Sequence, residues 1–276
     1  MDLPRNHFKR AIAASSGIAD APGPVPFGAW LMSGAPSTAE AMGCAGFDFL
    51  VVDMEHVPID TPQVIELLRA LAGTPAAAVT RLPWNDMVMV KRALDAGAQT
   101  LMFPFVQSAD DARRAVAYTR YPPEGVRGVA GMHRGARYGT VPGYLHAAAA
   151  ELCVVVQIET ADALGQLDAI AAVPGVDSIF VGPADLSASM GHLGNINHPA
   201  VQDRLAFAAR ECRRLKKPCG IIAFDPAMAA RFVDYGYTWV AISSDLGLMV
   251  GRAQECLAAA RAHAAASAPG GSPGAR

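Results

Sequence analysis

Lysine is scarce in this chain of 276 residues, which has only Lys9, Lys91, Lys216 and Lys217. All four fall in helical or helix-flanking patterns and none on a strand pattern, which closes the Schiff-base route, since that chemistry needs an amine pointing into the site. Cysteine is sparse as well. Cys44, Cys153, Cys212, Cys219 and Cys256 are odd in number and lack metal-ligand spacing, so they read as small buried hydrophobes in a reducing compartment. There is no G-x-x-x-x-G-K-[ST] loop and no G-x-G-x-x-G after a strand, which leaves nucleotide cofactors unsupported. No uninterrupted apolar run approaches the roughly 20 residues of a membrane span, and positions 1–10 hold no apolar signal core. A net charge of −2 gives no electrostatic case for nucleic acid or an anionic membrane. The expectation is a cytoplasmic protein with small-molecule partners.

What the chain does have is a series of short apolar runs that end in polar residues. Val154-Val155-Val156-Gln157-Ile158 leads to Glu159, and Ser178-Ile179-Phe180-Val181-Gly182-Pro183-Ala184 leads to Asp185. Phe47 to Val52 leads to Asp53-Met54-Glu55-His56, and Ala76 to Thr80 leads to Arg81. Such β-branched runs read as buried parallel strands, whose carboxyl ends open onto the ligand crevice. The four strand ends together therefore predict one shared site.

Eight strand patterns can be drawn: 27–31, 48–53, 76–81, 100–105, 153–159, 178–182, 219–224 and 239–243. Helical patterns separate nearly all of them. Thr61-Pro62 opens one that Gly73 ends, Asn85 opens one that Gly97 ends, and Asp225-Pro226 opens one that Gly236 ends. Repeated strand-helix steps predict a (β/α)8 barrel over 25–264, after an N-terminal helical segment at 1–24. A long insert, Tyr121 to Tyr144, interrupts the repeat and reads as a functional or mobile loop. The Ser-, Pro- and Gly-rich positions 265–276 read as a disordered tail.

Glu159 and Asp185 are hard oxygen donors without a Cys or His cluster, so with waters and a chelating substrate they suit an octahedral Mg²⁺ or Mn²⁺. The alternative is that each caps the helix after its strand. His56 next to Asp53 and Glu55 forms an acid-base unit in which a carboxylate would fix the imidazole tautomer, the alternative being a satisfied loop histidine. Arg81 at a barrel mouth would grip a carboxylate, unless it pairs with Asp95 or Asp86.

The runs FGAWLMSG, GFDFLVVDMEH, TRLPWND, LDAGAQTLMFPFV, RYPPEGVRG, VVVQIET and IFVGPADLSASMG resemble, in order, the metal-dependent pyruvate aldolases of the HpcH/HpaI aldolase/citrate lyase family. The likeness covers about Pro26 to Arg261 and implies a barrel of the phosphoenolpyruvate/pyruvate type. It implies Glu159 and Asp185 as metal ligands for Mg²⁺ or Mn²⁺, with Co²⁺ a third candidate. It also implies His56 as catalytic base, Asp53 as its partner, and Glu55 in the same motif. Arg81 and Gln157 match residues that hold pyruvate, and the stretch Gly182, Pro183, Ala184 and Asp185 matches the segment whose backbone amides bind its carboxylate. Trp30 and Asp95 match positions near the pocket, with Asp95 a candidate to act across a subunit interface. A homo-hexamer, a trimer of dimers that exchange C-terminal helices, is implied too.

The implied reaction is reversible cleavage of a 4-hydroxy-2-oxo acid to pyruvate and an aldehyde. A related CoA-ester lyase, a carboxylating or decarboxylating enzyme, and a silent metabolite-binding protein are the alternatives. His133, Arg134 and Arg137 form the dense basic cluster of the insert and are expected to meet the aldehyde end of the substrate. Otherwise they pair with subunit neighbours or solvent.

Overall fold

The computed structural model describes residues 2–17 and 23–267. Helix α1 (His7–Ser15) precedes β1 (Phe27–Leu31), α2 (Pro36–Cys44), β2 (Phe49–Asp53) and α3 (Thr61–Leu71). Next come β3 (Ala77–Arg81), α4 (Met87–Ala96), β4 (Thr100–Phe103) and α5 (Ala109–Thr119). The insert holds a tight turn of 3-10 type (Arg134–Gly139) and the short helix α6 (Tyr144–Ala147). Beyond it lie β5 (Cys153–Ile158), α7 (Ala161–Leu164), α8 (Leu167–Ala171), β6 (Ser178–Val181), α9 (Pro183–Ser189) and α10 (Pro199–Arg214). Finally β7 (Cys219–Ala223), α11 (Pro226–Tyr235), β8 (Trp239–Ser244) and α12 (Asp245–Ser267) complete the order. The eight strands pair in parallel in chain order, and β8 returns to β1 to close the barrel. The (β/α)8 architecture read from the sequence is the one observed.

The strands read as unbroken apolar runs because both of their faces are buried. One parity faces the barrel axis, where Trp30, Phe49, Val51, Val79, Met102, Val155, Phe180 and Trp239 form a single interior cluster. The other parity, including Leu50, Val52, Leu101, Val154 and Val156, packs under the helices. Phe8 and Ile12 of α1 join the interior cluster, with Phe8 edge-on to Phe49 and Trp239 at 5.1 and 5.2 Å. The helix therefore seals the amino-terminal end of the barrel. Gly220 makes room for that seal, since a Cβ there would come within 2.1 Å of the Trp239 ring.

Parity also sets the site. Continuing the inward set by two residues from Val51, Val79 and Val155 places Asp53, Arg81 and Gln157 at the carboxyl ends, pointing inward. Asp53 and Arg81 are register partners across β2 and β3.

Local signals differ from expectation at a few ends. Asp60, not Thr61, caps α3, forming a capping box with Gln63. Asp86, not Asn85, caps α4 by accepting from the Val88 and Met89 amides, while Asn85 reaches the Asp111 carbonyl at 3.0 Å. In both cases an aspartate one step away offers the better acceptor. Gly97 and Gly236 end their helices in the left-handed conformation as read. β4 stops at Phe103 because Pro104 follows it and Phe105 turns into the left-handed region at φ 52°. α12 runs through Ser267, so it takes in the first positions assigned to the tail, and 268–276 lie outside the described residues.

Candidate active site

The mouth at the carboxyl ends of the strands collects most of the residues singled out from the sequence. Arg81 is buried and bonds Asp53 bidentately, Nε to Oδ1 at 2.9 Å and Nη2 to Oδ2 at 2.7 Å. Its Nη1 stands 2.9 Å from Glu55 Oε2, and its guanidinium lies 5.3 Å from the Trp30 ring centroid. Trp30 in turn leans on Phe180 at 5.4 Å. The guanidinium is thus fixed in place by two carboxylates and an aromatic face before any substrate arrives.

Glu159 is 2% exposed and is held by two donors, the Phe105 amide at 2.7 Å and the Gln157 side-chain amide. Burial pushes its carboxyl up to about 7; those two donors oppose the rise, and the negative charges of Glu55 and Asp185 add to it. Burial likewise raises Glu55, with Arg81 opposing and Asp53 and Asp185 reinforcing. Asp185 sits in the first turn of α9 at the exposed rim. Glu55, Glu159 and Asp185 gathered at one mouth, with one arginine already engaged, form a local excess of negative charge.

The residues present fit a divalent cation. Among the described residues Gln157 Oε1 is buried and without a hydrogen-bond partner, and Glu159 is in no ion pair. Gly182 has no side chain where a Cβ would stand 2.8 Å from Glu159 Oε2 and 2.9 Å from Glu159 Cβ. Among the described residues no set of three or more His, Cys, Asp or Glu side chains encloses a metal.

One expectation needs correction, and one alternative falls. Asp53 is not seen to orient the His56 ring: its oxygens serve Arg81 and the amides of Glu55, at 3.0 Å, and His56, at 3.4 Å. The short turn after β2 places those amides next to the carboxylate, so Asp53 shapes the backbone on which exposed His56 rides. Nor does Arg81 pair with Asp95 or Asp86.

The larger correction concerns the insert, which does not contribute Arg134 and Arg137 to the mouth of its own barrel. Helices α3 and α4 run back along the strands, so their carboxyl ends lie beside the amino ends of the strands. Arg134 bonds the Ala96 and Leu68 carbonyls at those ends, at 3.0 and 3.4 Å, and shares a cavity with Arg137, Ala76 to Ala78 and Thr100. Helix-terminal carbonyls attract a guanidinium, and here they draw the cluster to the far face. Asp95 lies there too, 2.8 Å from Arg127 Nη2 and 3.7 Å from His133 Nε2. Within one chain, Asp95 and His133 are remote from His56.

Sequence reasoning missed Phe105, whose amide holds Glu159, because nothing in Pro104-Phe105 announces a left-handed residue. It also missed buried Asp245, which accepts from the Met32 and Ser33 amides at 2.7 and 3.1 Å and ties β8 to the loop after β1. An aspartate directly after the ISS run was the available signal.

Comparison with known proteins converges on one group. The family model described as HpcH/HpaI aldolase/citrate lyase matches residues 27–251. The chain is 46% identical over 243 residues to a 2-dehydro-3,6-dideoxy-6-sulfogluconate aldolase of Pseudomonas putida, covering 88% of this chain and 95% of that one. It is also 46% identical over 243 residues to a 5-keto-4-deoxy-D-glucarate aldolase of Salmonella arizonae, covering 88% and 92%. A crystal structure of an HpcH/HpaI aldolase/citrate lyase family protein from Burkholderia cenocepacia superimposes with a TM-score of 0.88 at 42% identity, covering 93% of this chain and 99% of that one.

Proposed function

The chain belongs to the HpcH/HpaI aldolase/citrate lyase family and is an aldolase that yields pyruvate and an aldehyde; on that premise we propose a divalent-metal-dependent cleavage of 4-hydroxy-2-oxo acids at the mouth built by Glu159, Asp185, Arg81 and His56. The observation that carries the metal assignment is buried Glu159, raised to about 7 between further carboxylates and faced by the bare backbone of Gly182. Glu159 and Asp185 would hold Mg²⁺ or Mn²⁺, with Co²⁺ a third candidate. When bound, that ion supplies Lewis-acid stabilisation of negative charge growing on the substrate's 2-oxo oxygen.

The protein's own groups do the rest. His56, exposed at the rim, accepts the proton of the C4 hydroxyl; the C3–C4 bond breaks, the aldehyde leaves, and the bonding pair moves to C3 of the pyruvate enolate. Arg81, already positioned by Asp53 and Glu55, faces the enolate and carboxylate oxygens, so little reorganisation is needed as charge develops. Gln157 adds a polar contact, Trp30 walls the pocket, and the amides of Ala184 and Asp185 at the start of α9 face the carboxylate. Protonation at C3 completes pyruvate, and loss of the proton taken up by His56 balances it and restores the base. Because both named relatives act on sugar-acid substrates, polyhydroxylated 2-oxo acids are the substrate class we favour.

The assembly reading rests on α12. Over its 23 residues only Asp245 is buried, while Leu246, Leu248, Met249, Val250 and Leu257 are exposed. Another copy covering that helix, in a hexamer of swapped dimers, would remove the apolar surface from water and carry Asp95 towards a neighbouring mouth. No helix of the described residues is long and apolar enough to cross a membrane. Cys153, Cys212 and Cys219 are free and buried, in keeping with a reducing, cytoplasmic setting. Retro-aldol turnover of a panel of hydroxy-oxo acids, coupled to pyruvate detection with and without EDTA, tests the reading. Full activity after exhaustive chelation refutes the metal role.

A further inference from the structure

A cavity of about 420 Å³ lies at the amino-terminal end of the barrel, on the face opposite the candidate active site. Its floor is the start of β3 and β4, and its walls come from the insert and the segment before α1. The charged lining is one-sided: Arg5, Arg69, Arg134 and Arg137 stand against the single acid Glu151. Glu151 is already spent, because Arg10 grips it at 2.6 Å and the Asn6 amide donates to it at 2.6 Å. Arg69 reaches Glu66 at 2.6 Å, but that pair is half exposed and well screened. The hydrogen bonds of Arg134 go to main-chain carbonyls, those of Ala96 and Leu68.

The like charges press on one another. Burial lowers the Arg134 guanidinium, and the charges of Arg69 and Arg137 lower it further. Arg137 and Tyr138 hold consecutive left-handed conformations, at φ 49° and 55°, in the turn that brings them to the cavity rim. A second cavity of about 320 Å³ shares Arg69, Arg134 and Tyr138 and adds Arg92, while its one acid, Asp95, is engaged by Arg127. In a chain of net charge −2, Arg5, Arg69, Arg92, Arg134 and Arg137 gather on this face.

We propose that the cavity binds a small metabolite bearing two or more negative charges, a dicarboxylate or a phosphorylated acid, at a site separate from the catalytic mouth. Guanidinium groups match both oxyanions bidentately, and the volume suits a small organic ligand.

Titration calorimetry on the full chain tests this with succinate and with inorganic phosphate as probes, the stronger of the two naming the anion class. We expect binding that weakens at least tenfold in Arg69→Ala/Arg137→Ala, while affinity for pyruvate, which reports the mouth, changes less than twofold. Arg137→Lys, which keeps the charge, should recover part of the loss. Should the double variant fold poorly by circular dichroism, Arg5→Ala, at an exposed position, carries the same expectation. Unchanged anion affinity in the variants, or no binding of either probe, overturns the proposal. So does a change in oligomer size by light scattering with anion affinity intact, which would mean that the arginines meet carboxylates of a second copy.

Discussion

Replacing Gly182 by alanine would test the tightest spacing in the site. The added Cβ would stand 2.8 Å from Glu159 Oε2, 2.9 Å from Glu159 Cβ and 3.4 Å from Gln157 Nε2. Carbon atoms rest about 3.5–4.0 Å apart, so Glu159 and the backbone of β5 must retreat by roughly 0.6–1 Å. At φ −83° and ψ 98° the backbone of Gly182 suits alanine, so the effect is steric and not conformational. Overpacking of this kind costs about 1–3 kcal/mol and would lower Tm by several degrees. Function should suffer far more. A shift approaching 1 Å in a reacting group costs about 10²-fold in turnover, and disturbing the support of a metal ligand costs about 10–100-fold in affinity. The assay is retro-aldol turnover by pyruvate release across a Mn²⁺ titration, beside Gly73→Ala, where an added Cβ meets nothing within 4 Å. Wild-type metal affinity and turnover in Gly182→Ala would show that Glu159 does not sit where its role requires.

Further expectations follow from other residues. His56→Ala should lower kcat by about 10²-fold or more with metal affinity unchanged, and an effect confined to KM would make it a binding residue instead. Arg134→Ala should cost about 1–3 kcal/mol by stranding the carbonyl of Ala96 at the end of α4, while that of Leu68 keeps the Ala72 amide, lowering Tm without changing the order of preferred substrates. A changed substrate order with unchanged Tm would contradict the placement at the far face. The salt bridge to Arg10 holds the carboxyl of Glu151 down to about 2, below its ordinary 4.5. A depressed acid contributes stability that is present above about pH 4.5 and fades as pH falls towards about 2. Glu151→Gln should therefore flatten the Tm-against-pH profile across that interval, and a profile parallel to wild type would argue against the pairing.

The barrel was legible because burial on both strand faces writes an apolar run, and because inward parity carries each run to a polar residue at its carboxyl end. Asp53, Arg81, Gln157 and Glu159 could be gathered on that basis alone. What could not be read was how they divide their bonds. A carboxylate beside a histidine in sequence reads as that histidine's partner, yet Asp53 turns to Arg81 because neighbouring parallel strands place the two directly across from each other. The insert was misread for a related reason. A loop of its length can reach either end of a barrel, and the acceptors that draw Arg134 to the amino-terminal end are main-chain carbonyls, which leave no mark in a sequence.

The seal formed by α1 has a consequence for how the molecule is made. Phe8 rests against Trp239, and Ser15 Oγ donates to the Thr238 carbonyl at 2.7 Å, so α1 completes its seat only once the last strand has been made. At about 5–20 residues per second, the roughly 230 residues between them take about 10–50 s to synthesise. Throughout that interval Phe8 and Ile12 have no barrel to enter. A nascent chain halted before β8 would present them, together with the open edges of β1 and β7, to whatever holds unfinished chains.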